Sequence, residues 1–173
     1  MTRSRSINKR LHGQSGVVVI LFALLLSVLL GFMALAVDVA RLYLVQVELQ
    51  NAADAGALAG ALSVSGSAGS YNWSNVTSDA QKIARSNFAN GSKIQQVTID
   101  MGYCTPSSPS AGLHAVDAGA DFPAVQVTID ISSTKNSGPL HFFFAPILGT
   151  ASSDVQASAI AAQTTPGHSI LVQ

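Results

Sequence analysis

The sequence predicts an α+β protein in which a long N-terminal transmembrane helix continues into a small domain. That domain is expected to contain a short helix and an antiparallel sheet of about three or more strands. Three observations lead to this prediction: an uncharged apolar run, a helical period that continues beyond it, and later segments in which apolar and polar residues alternate. Apolar residues make up 48% of the 173 residues and charged residues only 10%, which favours a chain covered by lipid or by packed neighbours.

The apolar run extends from Val17 to Val37 and contains no charged residue. As a helix it would be about 32 Å long, which is enough to cross the hydrocarbon core of a bilayer. Four basic residues precede it: Arg3, Arg5, Lys9 and Arg10. Because basic residues tend to remain on the cytoplasmic side, we expect residues 1–14 in the cytoplasm and the chain from Asp38 onward outside it.

A cleaved signal peptide is the alternative interpretation of this run. The tripeptide "ALA", Ala34 to Ala36, has the small residues that signal peptidase favours. However, the run is longer than the roughly 7–15 apolar residues of a signal core, and the helical pattern continues across the cleavage point. A retained anchor is therefore favoured.

The helical period continues beyond the apolar run, so one helix is predicted for residues 15–62. Its membrane part is 17–37 and its extracytoplasmic part is 38–62. In the outer part, one stripe carries apolar or small residues: Leu42, Val45, Leu49, Ala53, Gly56 and Gly60. Each internal glycine costs a helix about 0.5–1 kcal/mol relative to alanine, and the close approach of another backbone would offset that cost. The stripe is therefore predicted to be a packing surface.

Helix packing and assembly are accordingly assigned to Leu49, Ala53, Gly56, Gly60, Asp38 and Asp54. Asp38 ends the apolar run three residues before Arg41 and is interpreted as a boundary charge paired with that arginine. Docking to a cationic group of a neighbouring subunit is the alternative for Asp38. For Asp54, a solvated face and an interface are equally consistent with the sequence.

Residues 63–173 are predicted to form a small extracytoplasmic α+β domain. It begins with a loop rich in Ser, Gly and Asn, from Ser63 to Ser78. A short helix follows, capped by Ser78 and Gln81 at its start and closed by Asn90-Gly91 at its end.

Beyond this helix the apolar period changes to two, which indicates strands that each bury one face. The sequence "QVTIDM", Gln96 to Met101, returns almost unchanged as "QVTIDI", Gln126 to Ile131, and a third alternating run extends from Val155 to Ala161. Six residues of similarity are too few to indicate a duplicated domain. The three strands are predicted to pair as an antiparallel sheet whose apolar face is covered by the small-residue stripe of the long helix.

Two segments of the domain have no regular period. The first, Gly102 to Pro123, is a long loop whose role the sequence leaves open. It contains the single cysteine, Cys104, which has no CxxC partner and is interpreted as an incidental loop residue. The second, "GPLHFFFAPILG", Gly138 to Gly149, carries the aromatic residues Phe142 to Phe144. Packing beneath the sheet is favoured for these rings over an exposed contact with a partner or a membrane.

The sequence carries no pattern typical of an enzyme, so no catalytic, cofactor-binding or metal-binding residue is assigned. Its four histidines are isolated, without the HxxxH or HExxH spacing of metal sites. With a formal net charge of zero, the chain offers no strongly charged surface to nucleic acid. We expect no cofactor, no nucleic-acid partner and no small-molecule substrate.

The segment from Gly13 to Leu62 resembles the N-terminal part of TadG-like proteins of the bacterial Tad (tight adherence, Flp) pilus-assembly system. The resemblance rests on a fixed order: a glycine, an apolar run, Asp38, and the Ala-rich sequence "LQNAADAGALAGA", Leu49 to Ala61. Four later sequences are more weakly similar to short TadE/TadG-like membrane proteins: "DAQKIARSNFANG", "AVQVTIDIS", "HFFFAPILG" and "VQASAIAA".

This resemblance implies a single-pass protein of the bacterial inner membrane with a pilin-like domain. It would act in pilus assembly and cell adhesion or as a minor pilus component. Its partners would be the membrane, other pilus-assembly or pilin subunits, and other copies of itself. Longer relatives carry a von Willebrand A-like domain, for which the chain is too short. The sequence "DISST", Asp130 to Thr134, approximates the metal site of such domains, but the surrounding helices are missing and no metal is expected.

Processing and the final role remain open. Type IV-like prepilins are cleaved after a glycine, with a glutamate five residues further on. Here Val18 stands at that distance from Gly13, and Leu21 from Gly16, which favours an assembly or anchoring role over that of a major pilin. The alternative function is an anchored extracytoplasmic adhesin or ligand-binding module that is not built into a pilus. It would use the loop from Gly102 to Pro123 or the aromatic segment, Gly138 to Gly149.

Overall fold

The computed structural model describes residues 15–67, 70–105, 108, 111–115, 121–165 and 168–172. The basic N-terminus predicted to be cytoplasmic, including Gly13, lies outside the described residues. The first helix, α1, spans Ser15–Leu62, which is the range predicted for the long helix, and it continues through Asp38 without a break. At 1.5 Å per residue α1 is about 70 Å long. The predicted fold class, a long helix followed by a small α+β domain, is confirmed.

A hairpin and a short helix follow α1. Strand β1, Ser65–Ser67, pairs with β2, Ser70–Asn72, so the segment predicted to be a loop contains a small hairpin. The short helix α2 spans Val76–Ala84. It begins earlier than predicted, because Asn75 occupies the N-cap position and the Ser78 hydroxyl donates to the Asn75 carbonyl from within the first turn.

The predicted end of α2 at Asn90-Gly91 is wrong. Residues Phe88–Ala89 form strand β3, which pairs with β4, Ser92–Lys93. Asn90 and Gly91 are the two turn residues between them, with φ of 51° and 72°. Positive φ at both central positions is typical of a two-residue hairpin turn, for which Asn-Gly is a preferred pair. The dipeptide therefore closes a hairpin and not a helix.

The main sheet has four antiparallel strands in the order β10-β9-β6-β5. They are β5 (Thr98–Cys104), β6 (Phe122–Ile131), β9 (Val155–Thr165) and β10 (His168–Val172). The two strands of nearly identical sequence are neighbours, with Ile99 opposite Val127. A small separate ladder joins β7, Leu140–His141, to β8, Ser152–Ser153. The edge strand β10 was not predicted, because three apolar residues in a row, Ile170 to Val172, conceal a period of two.

One face of the sheet is covered by α1 and α2, as predicted for the small-residue stripe. The inward side chains of β6 and β9 alternate with polar ones; Val125, Val127 and Ile129 are completely buried. Met101 was predicted to be buried with them but is 45% exposed. It lies on the edge strand β5, whereas α1 packs over β6 and β9. The opposite face of the sheet is polar, as in many antiparallel sheets; there, Gln126 donates to the Ser158 hydroxyl.

The interpretation of Cys104 as an incidental loop residue is also wrong. Cys104 is the last residue of β5, so the predicted loop from Gly102 to Pro123 is shorter at both ends. Its side chain is buried with Ala124 and Ala162 in a second small apolar cluster. Burial raises the pKa of the Cys104 thiol, and the nearby charge of Asp121 adds to the effect. A cysteine buried in apolar surroundings typically has a structural role.

A single asparagine connects the two similar strands. Asn136 follows β6, is buried, and has a left-handed backbone with φ of 49°. Its side-chain oxygen accepts hydrogen bonds from the backbone N–H groups of Gln95 and Gln96, at 2.9 and 2.8 Å. Its amide nitrogen donates to the carbonyls of Gln96 and Asp130, each at 2.8 Å. Asn136 thus fixes the chain entering β5 to the end of β6.

Candidate functional site

The first half of α1 exposes its apolar side chains on all sides. Between Val17 and Val37 the large side chains are exposed by 40% or more, as at Phe22 with 66%. In the described part of the chain, α1 is the helix that is long and apolar enough to cross a membrane, judged by length and composition. A helix that is apolar all round is typical of a segment in lipid or in a large core.

The second half of α1 is part of the core of the domain. Leu49 and Ala53, two residues assigned to helix packing, are completely buried. They contact the same apolar cluster as the inward residues of β6 and β9. The side-chain amides of Gln46 and Gln50 flank this face and donate to the carbonyls of β9. The domain is therefore built directly on the helix.

Gly56 and Gly60 of α1 lie where neighbouring elements approach the helix closely. A Cβ atom added to Gly56 would lie 3.0 Å from the Cβ of Ala84 on α2. One added to Gly60 would lie 2.9 Å from Cγ1 of Val125 on β6. The close approach predicted for the glycine-bearing side is thus made by the chain's own α2 and sheet. Assembly with another subunit through Leu49, Ala53, Gly56 and Gly60 stays a prediction.

A different face of α1 remains exposed beyond the apolar run. Tyr43 is 69% exposed, Leu44 is 57% exposed, and Val47 is also exposed. These residues are spaced by one, three and four positions, so they share one side of the helix. That side continues the exposed surface of residues 17–37. In the sequence, this face is indicated by Val47, a large apolar residue that lies outside the stripe from Leu42 to Gly60.

Asp38 fastens the aromatic segment to α1. Its carboxylate is almost completely buried and accepts hydrogen bonds from three successive backbone N–H groups: Phe143 at 2.8 Å, Phe144 at 2.9 Å and Ala145 at 2.7 Å. These donors begin a 3-10 helix, Ala145–Leu148. Burial alone would raise the pKa of Asp38, but the three N–H groups and Arg41 together lower it below its usual value. Asp38 therefore acts as an anionic cap.

The interpretation of Asp38 as a boundary charge paired with Arg41 is incomplete. Arg41 lowers the pKa of Asp38, but its guanidinium group donates elsewhere: to the His141 carbonyl at 2.9 Å and to the side-chain oxygen of Asn90 at 3.0 Å. The guanidinium also lies 4.6 Å from the ring centroid of Phe143. Such a position over an aromatic face is favourable for a cation. Arg41 thus contacts the same place as Asp38, the junction between α1 and the segment from His141 to Ala145.

The β3–β4 turn is held at this junction by a second residue of α1. The Glu48 carboxylate accepts a hydrogen bond of 2.8 Å from the backbone N–H of Asn90. Asn90 therefore connects Arg41 and Glu48, which are two turns of α1 apart. The left-handed turn and the helix are positioned by one polar network.

The aromatic segment divides between the core and the surface. Phe142 packs against the core of the domain, as predicted. For Phe143 and Phe144 the prediction of packing beneath the sheet is wrong, since they are 66% and 42% exposed. Ile147 and Leu148, which follow on the 3-10 helix, are 84% and 75% exposed. This segment lies beside the apolar half of α1 and forms with it an apolar groove of about 280 Å³.

Asp54 lies on the solvent side of the domain. Its carboxylate accepts a hydrogen bond of 2.8 Å from Gln50, one turn earlier on α1. Together with Ser158, Leu171 and Val172, these two residues border a shallow cleft between α1 and the outer strands. The contacts are those of a partly solvated helix pair, and an interface role for Asp54 stays a prediction.

Three polar residues that are distant in the sequence meet at the end of β5. The Thr105 hydroxyl donates to the buried Asp121 carboxylate at 2.7 Å and lies 3.2 Å from Nε2 of His114. The same Nε2 is 3.5 Å from Asp121. A nucleophile–histidine–carboxylate relay uses the two ring nitrogens for two different partners. Here one nitrogen faces both groups, and the contacts join the end of β5 to the residue just before β6.

In the sequence "DISST", which approximates a metal site, the Asp130 carboxylate is paired with neighbouring side chains of the protein. The Asp130 carboxylate lies 2.9 Å from Nζ of Lys135 and accepts a hydrogen bond from the Ser132 hydroxyl. Among the described residues, no group of three or more histidines, cysteines or carboxylates is close enough to hold a metal ion.

Comparison with known families covers both halves of this architecture. A family model described as TadE/G-like Flp pilus-assembly matches residues 16–63, which is α1. A second, described as Tad-like Flp pilus-assembly, matches residues 59–161, which is more than half of the 173-residue chain. No curated protein and no solved structure matches the chain significantly. The resemblance seen in the sequence is confirmed, and the chain belongs to the Tad-like family of Flp pilus-assembly proteins.

Proposed function

We propose that the chain is a membrane-anchored, pilin-like protein that acts in Tad/Flp pilus assembly or is a minor component of the pilus. The observation that carries this proposal is the construction of α1. Its first half is apolar and exposed, and its second half is the helix on which the domain folds. A domain built in this way stands directly at the end of its anchor. The role is structural and not enzymatic.

The proposed topology follows from the distribution of charge. The helix crosses the bacterial inner membrane once, with residues 1–14 in the cytoplasm because they carry the basic residues before the apolar run. The domain after Asp38 lies outside the cytoplasm. The uncharged part of α1, 17–37, has the length that the hydrocarbon core requires.

We further propose that the chain associates with other pilus-assembly or pilin subunits, or with copies of itself, through α1. The glycine-bearing side is occupied by the chain's own domain. The exposed side, with Tyr43, Leu44 and Val47, is the part of the helix available to a partner. Apolar side chains on a helix outside the bilayer are stabilised when they pack against another subunit. Leu49, Ala53, Gly56 and Gly60 then support assembly indirectly, because they hold the domain on the helix.

Cysteine crosslinking in intact membranes tests this association. A cysteine replaces Tyr43 (Tyr43→Cys) in a Cys104→Ala background, which carries no other cysteine. A short thiol crosslinker is expected to join this position to a second subunit. The matched control is Lys82→Cys, which lies exposed on α2. Equal crosslinking at the two positions, or none at Tyr43→Cys, would refute association through this face.

A functional measurement separates anchoring from association. The triple change Tyr43→Ser, Leu44→Ser and Val47→Ser is expected to reduce pilus formation while the amount of membrane-inserted protein stays unchanged. The polar substitutions leave the buried stripe intact, so the domain is expected to fold. Normal pilus formation by this variant would contradict the proposed association.

A second candidate function, ligand binding by the anchored domain, is favoured by one observation. Tyr71, Trp73 and Tyr103 form a cluster of half-buried rings whose centroids are 6.1–6.3 Å apart. The cluster lies where β5 leads into the long loop. If the chain is primarily an adhesin, Trp73→Ala is expected to abolish surface attachment without affecting pilus formation. The association proposal expects the serine triple variant to show the stronger defect.

A further inference from the structure

We propose that the segment Phe143–Leu148 inserts into the outer leaflet of the bilayer beside α1, where lipid acyl chains cover it. This inference rests on the proposed anchoring of α1, and it adds a second membrane contact. The segment would give the protein a fixed depth in the membrane as well as a span across it.

The first argument is the exposure of the segment. Its four large apolar side chains, Phe143, Phe144, Ile147 and Leu148, are between 42% and 84% exposed. No charged residue occurs from Gly138 to Ser153. In water, a contiguous apolar surface of this kind is unfavourable.

The second argument is the position of the segment along α1. The groove that it forms with α1 is lined on the helix by residues between Val28 and Leu35. These residues precede Asp38 by three to ten positions, which corresponds to about 5–15 Å along the helix axis. The segment therefore extends back from Asp38 alongside the apolar half of α1. If the apolar half of α1 lies in the hydrocarbon core of the bilayer, Ile147 and Leu148 lie at the same depth in that core.

The third argument is the hydrogen bonding of the backbone. Irregular chain can enter the hydrocarbon region only if its backbone N–H groups are paired, because water is not there to accept them. Asp38 accepts the N–H groups of Phe143, Phe144 and Ala145. Pro146 has no N–H group, and the N–H groups of Ile147 and Gly149 donate to carbonyls within the segment. A loop with apolar side chains and hydrogen-bonded N–H groups fits lipid better than water.

The occupant of the groove is thus lipid, and a second protein helix is the competing occupant. Fluorescence quenching of the full-length chain in phosphatidylcholine vesicles separates the two. Trp73 is the single tryptophan, so a Trp73→Phe background allows one tryptophan to be placed at each position. Ile147→Trp probes the segment, Phe22→Trp probes the span outside the groove, and Met101→Trp on the edge strand β5 is the control that faces water.

Lipids brominated on their acyl chains are expected to quench Ile147→Trp and Phe22→Trp, and aqueous acrylamide is expected to quench only Met101→Trp. If Phe22→Trp is quenched by lipid but Ile147→Trp by acrylamide, the anchor holds and the inference is wrong. If acrylamide quenches both, the proposed anchoring has failed as well. If neither agent quenches Ile147→Trp, protein covers the segment and the inference is overturned.

The Asp38 cap supplies an independent test. In an Asp38→Asn variant, lipid quenching of Ile147→Trp is expected to fall toward that of Met101→Trp. Quenching of Phe22→Trp is expected to remain unchanged, because Phe22 lies in the span outside the groove and does not depend on the cap. If quenching at Ile147→Trp is also unchanged, then Asp38 does not position the segment and the third argument fails.

Discussion

The carboxylate of Asp38 accepts a hydrogen bond of 2.7 Å from the backbone N–H of Ala145, although 107 residues separate the two in the sequence. This bond joins the end of the apolar run to the start of a 3-10 helix. The N–H groups of Phe143 and Phe144 donate to the same carboxylate, so three backbone donors surround one buried, charged side chain. The position of the aromatic segment therefore depends on a single residue of α1.

Replacing that residue is expected to release the segment. In Asp38→Asn, the charge is removed and one acceptor oxygen is replaced by an NH₂ group that faces at least one N–H donor, so the anionic cap is lost. We expect chymotrypsin to cleave the purified chain in detergent after Phe143, Phe144 or Leu148 at least about tenfold faster, since hydrogen bonds to a charged acceptor shift local opening by that order. The control is Asp100→Asn, an exposed carboxylate on β5. Unchanged cleavage in Asp38→Asn would show that the cap is dispensable.

The cap is also expected to depend on pH. The folded state lowers the pKa of Asp38, so the stabilisation is fully present above the unfolded value, near 3.8, and is lost as the pH falls through the lower folded value. Amide hydrogen exchange of Phe143 to Ala145, corrected for intrinsic rates, is expected to show constant protection above this window and decreasing protection within it. The Asp38→Asn variant should show low protection throughout. Protection that rises on acidification would have the wrong sign.

The close packing at Gly60 predicts an unusual effect of alanine in a helix. A Cβ atom at Gly60 would lie 2.9 Å from Val125 Cγ1 and 3.1 Å from Ala80 Cβ. Such overpacking costs about 1–3 kcal/mol, and the better helix propensity of alanine offsets about 1 kcal/mol of it. We expect Gly60→Ala to lower the free energy of unfolding by about 1 kcal/mol, measured by urea denaturation with Trp73 fluorescence.

The matched control for this prediction is Gly16→Ala, because a Cβ atom there meets nothing within 4 Å. It is expected to leave the urea midpoint unchanged. Gly60→Leu, with a much larger side chain at the same contact, is expected to unfold the domain. A Gly60→Ala protein more stable than the natural chain would show that α1 and β6 have room to move apart.

Loss of the buried asparagine is expected to be the larger stability defect. Asn136 makes four hydrogen bonds to backbone groups. At about 0.5–1.5 kcal/mol for each bond, Asn136→Ala should lower the free energy of unfolding by about 2–6 kcal/mol. The left-handed backbone adds to this loss, because alanine adopts it less readily than asparagine. Asn72→Ala, which removes one exposed bond to Ser74, is the control; an equal effect of the two changes would contradict the prediction.

The elements that the sequence predicted are those with a strong apolar period. Repeated spacing over many residues indicated the bounds of α1 and the existence of strands β6 and β9. It also indicated that one stripe of α1, from Val45 to Gly60, is buried. Spacing also predicted that the glycines lie at a close approach. The spacing could not show which element approaches the glycines. A sheet of the same chain and a helix of a second subunit both require a helix surface without large side chains.

The contacts at the junction could not be predicted in this way. A carboxylate bonded to backbone N–H groups requires no particular partner residue, so the link from Asp38 to the aromatic segment leaves no pattern in the sequence. Three successive phenylalanines likewise do not indicate which ring is buried. The Asn90-Gly91 turn is different, since the dipeptide is a hairpin signal as well as a helix stop. The short flanking strands, of two residues each, were too brief to decide between them.

The continuity of α1 from its apolar half into the domain has a mechanical consequence. Because the same helix lies in both regions, any tilt of its apolar half swings the sheet through the same angle, and rotation about the helix axis turns the polar face of the sheet with it. A pull along the axis is transmitted straight to the residues packed around Gly56 and Gly60. The apolar half of α1 and the domain are therefore expected to move together as one unit.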